Sequence, residues 1–123
     1  MVVDYDVIVV GAGPAGISAA IAVARGGLKV LVVDRGAFPG AKNLFGGIFF
    51  TTLLEKLIPD YLQTAPLERH IITRRFSFLT PDTEVALEIK SEKYNAPRYN
   101  SSFTVLRSKF DRWYADKAQE AGV

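Results

Sequence analysis

The sequence predicts an α/β fold that opens with a βαβ unit, passes into antiparallel strands and returns to a helix. Three observations predict it. Two short apolar runs, Val7 to Val10 and Val30 to Val33, the second within a strand expected over Leu28 to Val33, bracket a stretch with helical spacing. A glycine-rich turn, Gly11-Ala12-Gly13-Pro14-Ala15-Gly16, joins the first run to that stretch. Past His70 the apolar positions alternate with polar ones, the period of a strand with one wet face.

The opening unit carries the fingerprint of a Rossmann-like site for a dinucleotide. Gly11 allows a tight turn, Gly13 lets backbone N–H groups approach a pyrophosphate, and Gly16 lets the helix pack on the strand. Pro14 and Ala15 form the first helical turn, whose unpaired N–H groups and partial positive charge favour phosphate. Asp34 closes the second apolar run, 18 positions after Gly16, where a carboxylate accepts hydrogen bonds from a ribose 2′-hydroxyl. A bare G-x-G-x-x-G is weak evidence; here the strand, helix and acid flank it in order.

The helix should run from Pro14 to about Arg25, with Ile17, Ala20, Ile21 and Ala24 on one apolar face, and stop at Gly26-Gly27. Residues 35–50 read as an ordered glycine-rich loop, and Thr52 to Ile58 as a short helix ended by Pro59. Thr80-Pro81-Asp82-Thr83 is turn chemistry, so Ile71 to Leu79 should pair as a hairpin with the strand holding Val85, Leu87 and Ile89. Arg98 to Leu106 is expected to add a third strand. Ser108 to Asp111 matches a capping box opening a helix with Phe110, Trp113, Tyr114, Lys117 and Ala118 inward, stopped by Gly122. The expected division is a nucleotide-binding βαβ with its loop over 1–50, inserted antiparallel strands over 67–106, and a returning helix over 107–122.

Composition bounds the function. Of 123 residues 49% are hydrophobic, so a core is affordable in one domain. Lys and Arg number 15 against 13 Asp and Glu, with no basic stripe, which argues against a nucleic-acid surface. No cysteine is present, excluding a disulfide framework or a cysteine-held metal cluster within these residues. The uncharged stretch 7–24 could pass for a membrane span or signal peptide, but three glycines and Pro14 interrupt it and Asp4 and Asp6 flank it. A cytoplasmic setting is expected, with the parent protein free to touch a membrane peripherally. Two parallel strands cannot cover a doubly wound sheet, so an incomplete domain is expected: an N-terminal part of a longer enzyme, or a chain that pairs with other subunits.

The segment Asp4 to Gly16 resembles the FAD-binding start of the flavoprotein class that includes p-hydroxybenzoate hydroxylase and geranylgeranyl reductases. Gly40-Ala41-Lys42-Asn43-Leu44-Phe45-Gly46-Gly47 resembles the matching loop of electron transfer flavoprotein–quinone oxidoreductases and their FixC relatives. So do Ile58-Pro59, Ala65 to Arg69, and Val105-Leu106-Arg107-Ser108-Lys109-Phe110-Asp111-Arg112-Trp113. The resemblance implies FAD as cofactor, with electrons passing between an electron transfer flavoprotein and a quinone, or a ferredoxin-like partner. It implies that Gly11, Gly13 and Gly16 hold the pyrophosphate, that Asp34 holds the adenosine ribose, and that Arg107 lies near the phosphates. Gly46 and Gly47 would lie by the flavin ring. Two departures stand out: Asp34 where most relatives have Glu, and Leu44-Phe45 where geranylgeranyl reductases often carry a cysteine.

Several readings stay open at this level. Arg35 and Lys42 are candidates for phosphate or flavin contact, or else solvated loop charges. Arg107 either meets FAD or makes an exposed ion pair. His70 reads as structural, Phe76, Phe78 and Phe103 as core or substrate-side packing, and Trp113 and Tyr114 as core. No catalytic acid, base or metal set emerges. Alternative functions are a geranylgeranyl-reductase-like or hydroxylase-like enzyme on a hydrophobic substrate, or a nucleotide-binding module without catalysis.

Overall fold

The computed structural model describes residues 4–95 and 101–123. The opening is β1 (Val7–Val10), α1 (Pro14–Arg25) and β2 (Val30–Val33), followed by β3 (Gly46–Phe50), α2 (Leu54–Leu57) and α3 (Tyr61–Thr64). Then come β4 (Leu67–His70), β5 (Thr73–Leu79), β6 (Glu84–Lys90), β7 (Ser102–Leu106) and α4 (Arg107–Glu120). β1 and β2 pair in parallel, Val7 opposite Val30 and Val10 opposite Val33. β3, β7 and β4 form an antiparallel sheet with β7 in the middle, and β5 and β6 form a separate hairpin. The expected class, a parallel βαβ start followed by antiparallel strands, is the one observed.

Local chemistry explains the opening unit. Gly11 sits at φ +105°, a conformation costly for any side chain, and lets the chain leave β1 sharply. Pro14 occupies the first helical turn, where its missing N–H is no loss. Gly26 and Gly27 end α1, and β2 begins at Val30 rather than Leu28. Leu28 and Lys29 form the connection instead: Lys29 N donates to Asp6 Oδ2 at 2.8 Å, and Asp6 N donates to Lys29 O at 2.9 Å.

Three expectations need correction. The loop expected over 35–50 ends at Gly46, because Gly46 to Phe50 pair with Leu106 to Ser102. A Gly-Gly start with no alternation hid that strand; only its long-range partner defines it. The strand expected from Arg98 begins in residues outside those described, and β7 joins β3 and β4 rather than the hairpin. The expected capping box does not form. α4 starts at Arg107 directly from β7, with Leu106 as a cap that offers no side-chain hydrogen bond, so Ser108 falls inside the first turn.

The core lies where α1 and α4 meet. Ile17 and Ile21 pack with Phe110, Tyr114 and Ala118, joined by Leu54, Ile58, Tyr61 and Val105. Phe110 anchors an aromatic cluster, its ring centroid 4.5 Å from Phe49 and 5.7 Å from Tyr114. Tyr114 OH and Ser18 Oγ, 2.9 Å apart, tie the two helices. Tyr114 is thus core as expected, and Trp113 packs partly buried against it. Phe103 is partly buried and stacks on the exposed His70 at 4.9 Å. Phe76 and Phe78 are not core: both are exposed on the hairpin, because β5 and β6 cover only each other among the described elements.

Candidate functional site

The turn between β1 and α1 is built as the spacing requires. A methyl group at Gly16 would drive into the carbonyl oxygen of Gly11, so glycine there is what lets α1 close onto the turn. Gly13 differs. A methyl there would meet nothing nearer than Arg107 Nη2, 3.8 Å away, so the protein itself does not demand glycine at this position. The space in front of Gly13 is open, at the positive end of a 12-residue helix. The first intrahelical bond runs from Ile17 N to Gly13 O at 3.0 Å, which leaves the N–H groups of Ala15 and Gly16 without helical partners.

Asp34 sits at the end of β2 and faces that turn. Its Oδ2 accepts from Ala12 N at 2.8 Å and its Oδ1 from Gly36 N at 2.7 Å. These two backbone donors, Ala12 foremost, hold its carboxyl below the usual aspartate range, with Lys42 and Arg35 adding in the same direction. Asp34 therefore has a structural duty that its spacing alone did not reveal: it locks the turn after β1 to the loop after β2. A carboxylate has about four lone-pair sites, so about two remain for an outside donor.

Two cavities flank Asp34. One, of about 330 Å³, is lined by Gly11, Gly13, Asp34, Arg35, Lys42, Asn43 and Asp111 among others. The second, of about 370 Å³, lies on the other side over an apolar floor that includes Ala12, Ile17, Val32 and Phe38.

Arg107 enters from the first turn of α4. Its Nε donates to Asp111 Oδ1 at 2.8 Å and its Nη2 to Asp111 Oδ2 at 2.9 Å. That bidentate pairing, more than burial opposes it, raises its pKa above the ordinary arginine value. Asn43 Nδ2 also donates to Asp111 Oδ2, at 2.6 Å. The structure thus brings Gly11, Gly13, Asp34, Arg35 and Lys42 to one cavity, with Arg107 reaching toward Gly13. Pro14, Ala15 and Gly16 form the helix start behind it. Gly46 and Gly47 are paired with β7 and do not line that cavity, although Gly46 stands opposite Leu106, next to Arg107. Asp111 and Asn43 were missed as site residues. Asp111 reads in sequence as one more helix charge, and only its complete burial distinguishes it.

The described residues hold no group of three or more His, Cys, Asp or Glu able to hold a metal ion, and no helix long and apolar enough to cross a membrane.

A parallel βαβ with an open glycine turn and a terminal carboxylate defines the nucleotide-binding end of a doubly wound α/β protein. The chain belongs to the Thi4 family, which matches residues 1–64. Over 97% of its length it is 45% identical to the FixC protein of Bradyrhizobium diazoefficiens, covering 27% of that protein. It is 43% identical, over 97% of its length, to the probable electron transfer flavoprotein-quinone oxidoreductase YdiS of Escherichia coli K12, covering 28% of it. The chain therefore spans about a quarter of the curated relatives it matches. Among solved structures, a geranylgeranyl bacteriochlorophyll reductase-like protein of Thermoplasma acidophilum matches with a TM-score of 0.70 and 29% identity, over 96% of this chain and 28% of its own. The myxobacterial chondrochloren halogenase CndH, described as a variant of FAD-dependent halogenases, shares the fold at TM-score 0.74 and 23% identity, over 97% and 27%.

Proposed function

We propose that these residues form the FAD-binding part of a flavin-dependent oxidoreductase that passes electrons from an electron transfer flavoprotein to a quinone. The observation that carries the reading is the cavity at Gly13: open, unneeded by the fold, and faced by a guanidinium and a helix N-terminus. The name of the quinone oxidoreductase relative supports the choice of partners.

The residues present fit FAD. The N–H groups of the first α1 turn and the Arg107 guanidinium receive the diphosphate, and the missing side chain of Gly13 leaves room for it. Asp34 accepts from the adenosine ribose with its remaining lone pairs, and its negative charge disfavours a ribose 2′-phosphate. The apolar cavity beyond Asp34 receives the adenine. Arg35 and Lys42 add positive charge around the phosphates. The chemistry supplied by a bound flavin is hydride or single-electron transfer, while the protein binds, orients and tunes it. Gly46 and Gly47 are proposed to lie near the ring, where an edge without side chains permits close approach.

A second reading follows from the match to the reductase-like structure: reduction of a hydrophobic, isoprenoid-type substrate by the same flavin. Purified full-length protein, reconstituted with FAD, should show flavin absorption bands. Reduced electron transfer flavoprotein should then bleach them, and a soluble quinone should restore them. Failure to bind FAD overturns both readings. Bleaching reversed only by an isoprenoid alkene selects the second.

A further inference from the structure

We infer that Asp111 is a positioning residue, which with Asn43 fixes the Arg107 guanidinium beside Gly13 and aims it at the diphosphate of the bound dinucleotide. The inference deepens the FAD reading and rests on it.

The Asp111 side chain is fully buried, yet it lines the cavity shared by Gly11, Gly13 and Asp34. A buried carboxylate is costly unless charge and hydrogen bonds satisfy it, and here both are supplied. Arg107 gives two parallel N–H bonds and Asn43 a third. For stability alone such an ion pair is a poor choice, since a well-packed apolar pair does as well or better. What the pair does provide is direction. Guanidinium carries five N–H donors in a rigid plane. With Nε and Nη2 each giving one N–H to Asp111, the plane can no longer rotate, and Nη2, which keeps a second N–H, is held 3.8 Å from where a Gly13 side chain would begin.

Asn43 brings a third segment into the arrangement. A methyl at Gly40, which has φ +85°, would lie 3.0 Å from Asp111 Cβ and 3.0 Å from Ser108 Cα, so the loop lies directly on the first turn of α4. Asn43 N donates to Gly40 O at 2.9 Å, a turn that presents the Asn43 amide to Asp111. Asp111 thus joins the loop that carries Lys42 to the cation that faces the phosphate turn. Order in one is coupled to order in the other.

The test is FAD affinity of the full-length chain, read by flavin fluorescence, in a double-mutant cycle of Asp111→Asn and Arg107→Met. Asp111→Asn should weaken FAD about tenfold with Arg107 present, the scale of one hydrogen bond to a charged group, and less than about twofold once Arg107 is Met. Equal losses in both backgrounds, or none, overturn the inference while leaving the FAD reading intact. Wild-type protein that takes up no FAD overturns both.

Asn43→Ala covers the case in which Asp111→Asn does not fold. It should stay folded, with a modestly lower apo melting temperature because Asp111 loses one hydrogen bond, and move the same ³¹P resonance of bound FAD that Arg107→Lys moves. A packing role alone leaves that resonance in place, and an unmoved resonance rejects the inference.

Discussion

At the scale of single residues, Gly13 and Gly16 at the start of α1 make opposite predictions. Gly16 is required by the protein, since a methyl there collides with the Gly11 backbone. Gly16→Ala should destabilise the apo chain by roughly 1–3 kcal/mol, seen as a lower thermal midpoint. Gly13 has room for a Cβ, so Gly13→Val should lower the apo midpoint less than Gly16→Ala does and abolish FAD uptake. Full uptake by Gly13→Val would remove the diphosphate from this turn. Asp34 makes a prediction in pH. Its carboxyl is held below its unfolded value by Ala12 and Gly36, so its stabilising contribution is present above the ordinary aspartate range and lost as pH falls through the native value. Stability should be flat from neutral to about pH 5 and fall below about pH 4, with part of that fall missing in Asp34→Asn. Identical acid limbs in both proteins would refute the lock.

At the scale of elements, the bond between Tyr114 and Ser18 decides how α4 sits on α1. Ser18 Oγ also donates to Pro14 O at 2.7 Å, so Tyr114 OH is the donor between the helices. Tyr114→Phe should lower stability by about 1 kcal/mol, and by clearly less in a Ser18→Ala background, when unfolding is followed in urea. Additive losses would mean that the two hydroxyls have separate partners. Elements also show where sequence reading works and fails. α1 was legible end to end because its signals are local: Pro14 at the start, apolar spacing, and Gly26-Gly27 at the stop. The turn residues at 80–83 and the strict alternation after them marked the hairpin equally well. β3 was not legible, since Gly46-Gly47 carries no strand preference and its identity comes from β7, more than fifty residues later. Ser108 and Asp111 fit a capping box by type and spacing, but β7 runs into α4 two residues too early for the cap to form. The same displacement hid Asp111. A residue expected at a solvated helix start lies inside the protein, and the positions of Gly13, Asp34 and Arg107 were legible while the group that orients Arg107 was not.

At the scale of the whole molecule, the exposed apolar surface has a pattern. On β1 it is Ile8 and Val10, at 62% and 84% exposure, both facing away from α1. On the hairpin it is Phe78, Val85 and Leu87, at 77%, 65% and 61%, with Phe78 opposite Val85 and Phe76 opposite Leu87 on one face. The other face is polar, carrying the Arg75–Glu84 ion pair at 2.8 Å and the Ser77–Glu84 hydrogen bond at 2.6 Å. Exposed ion pairs of this kind add little, and a lone two-stranded hairpin is marginal in water. A cover over its apolar face would stabilise the hairpin, and the FixC relative is more than three times as long as the present chain. In hydrogen exchange, the amides of β5 and β6 in the 123-residue chain should exchange as freely as a loop, while those of α1 and α4 stay protected by the core around Phe110. In a full-length FixC-type protein the same hairpin amides should be slow. Equal protection in both would mean that the hairpin holds itself together, and its apolar face would then be a free surface rather than half of a packed layer.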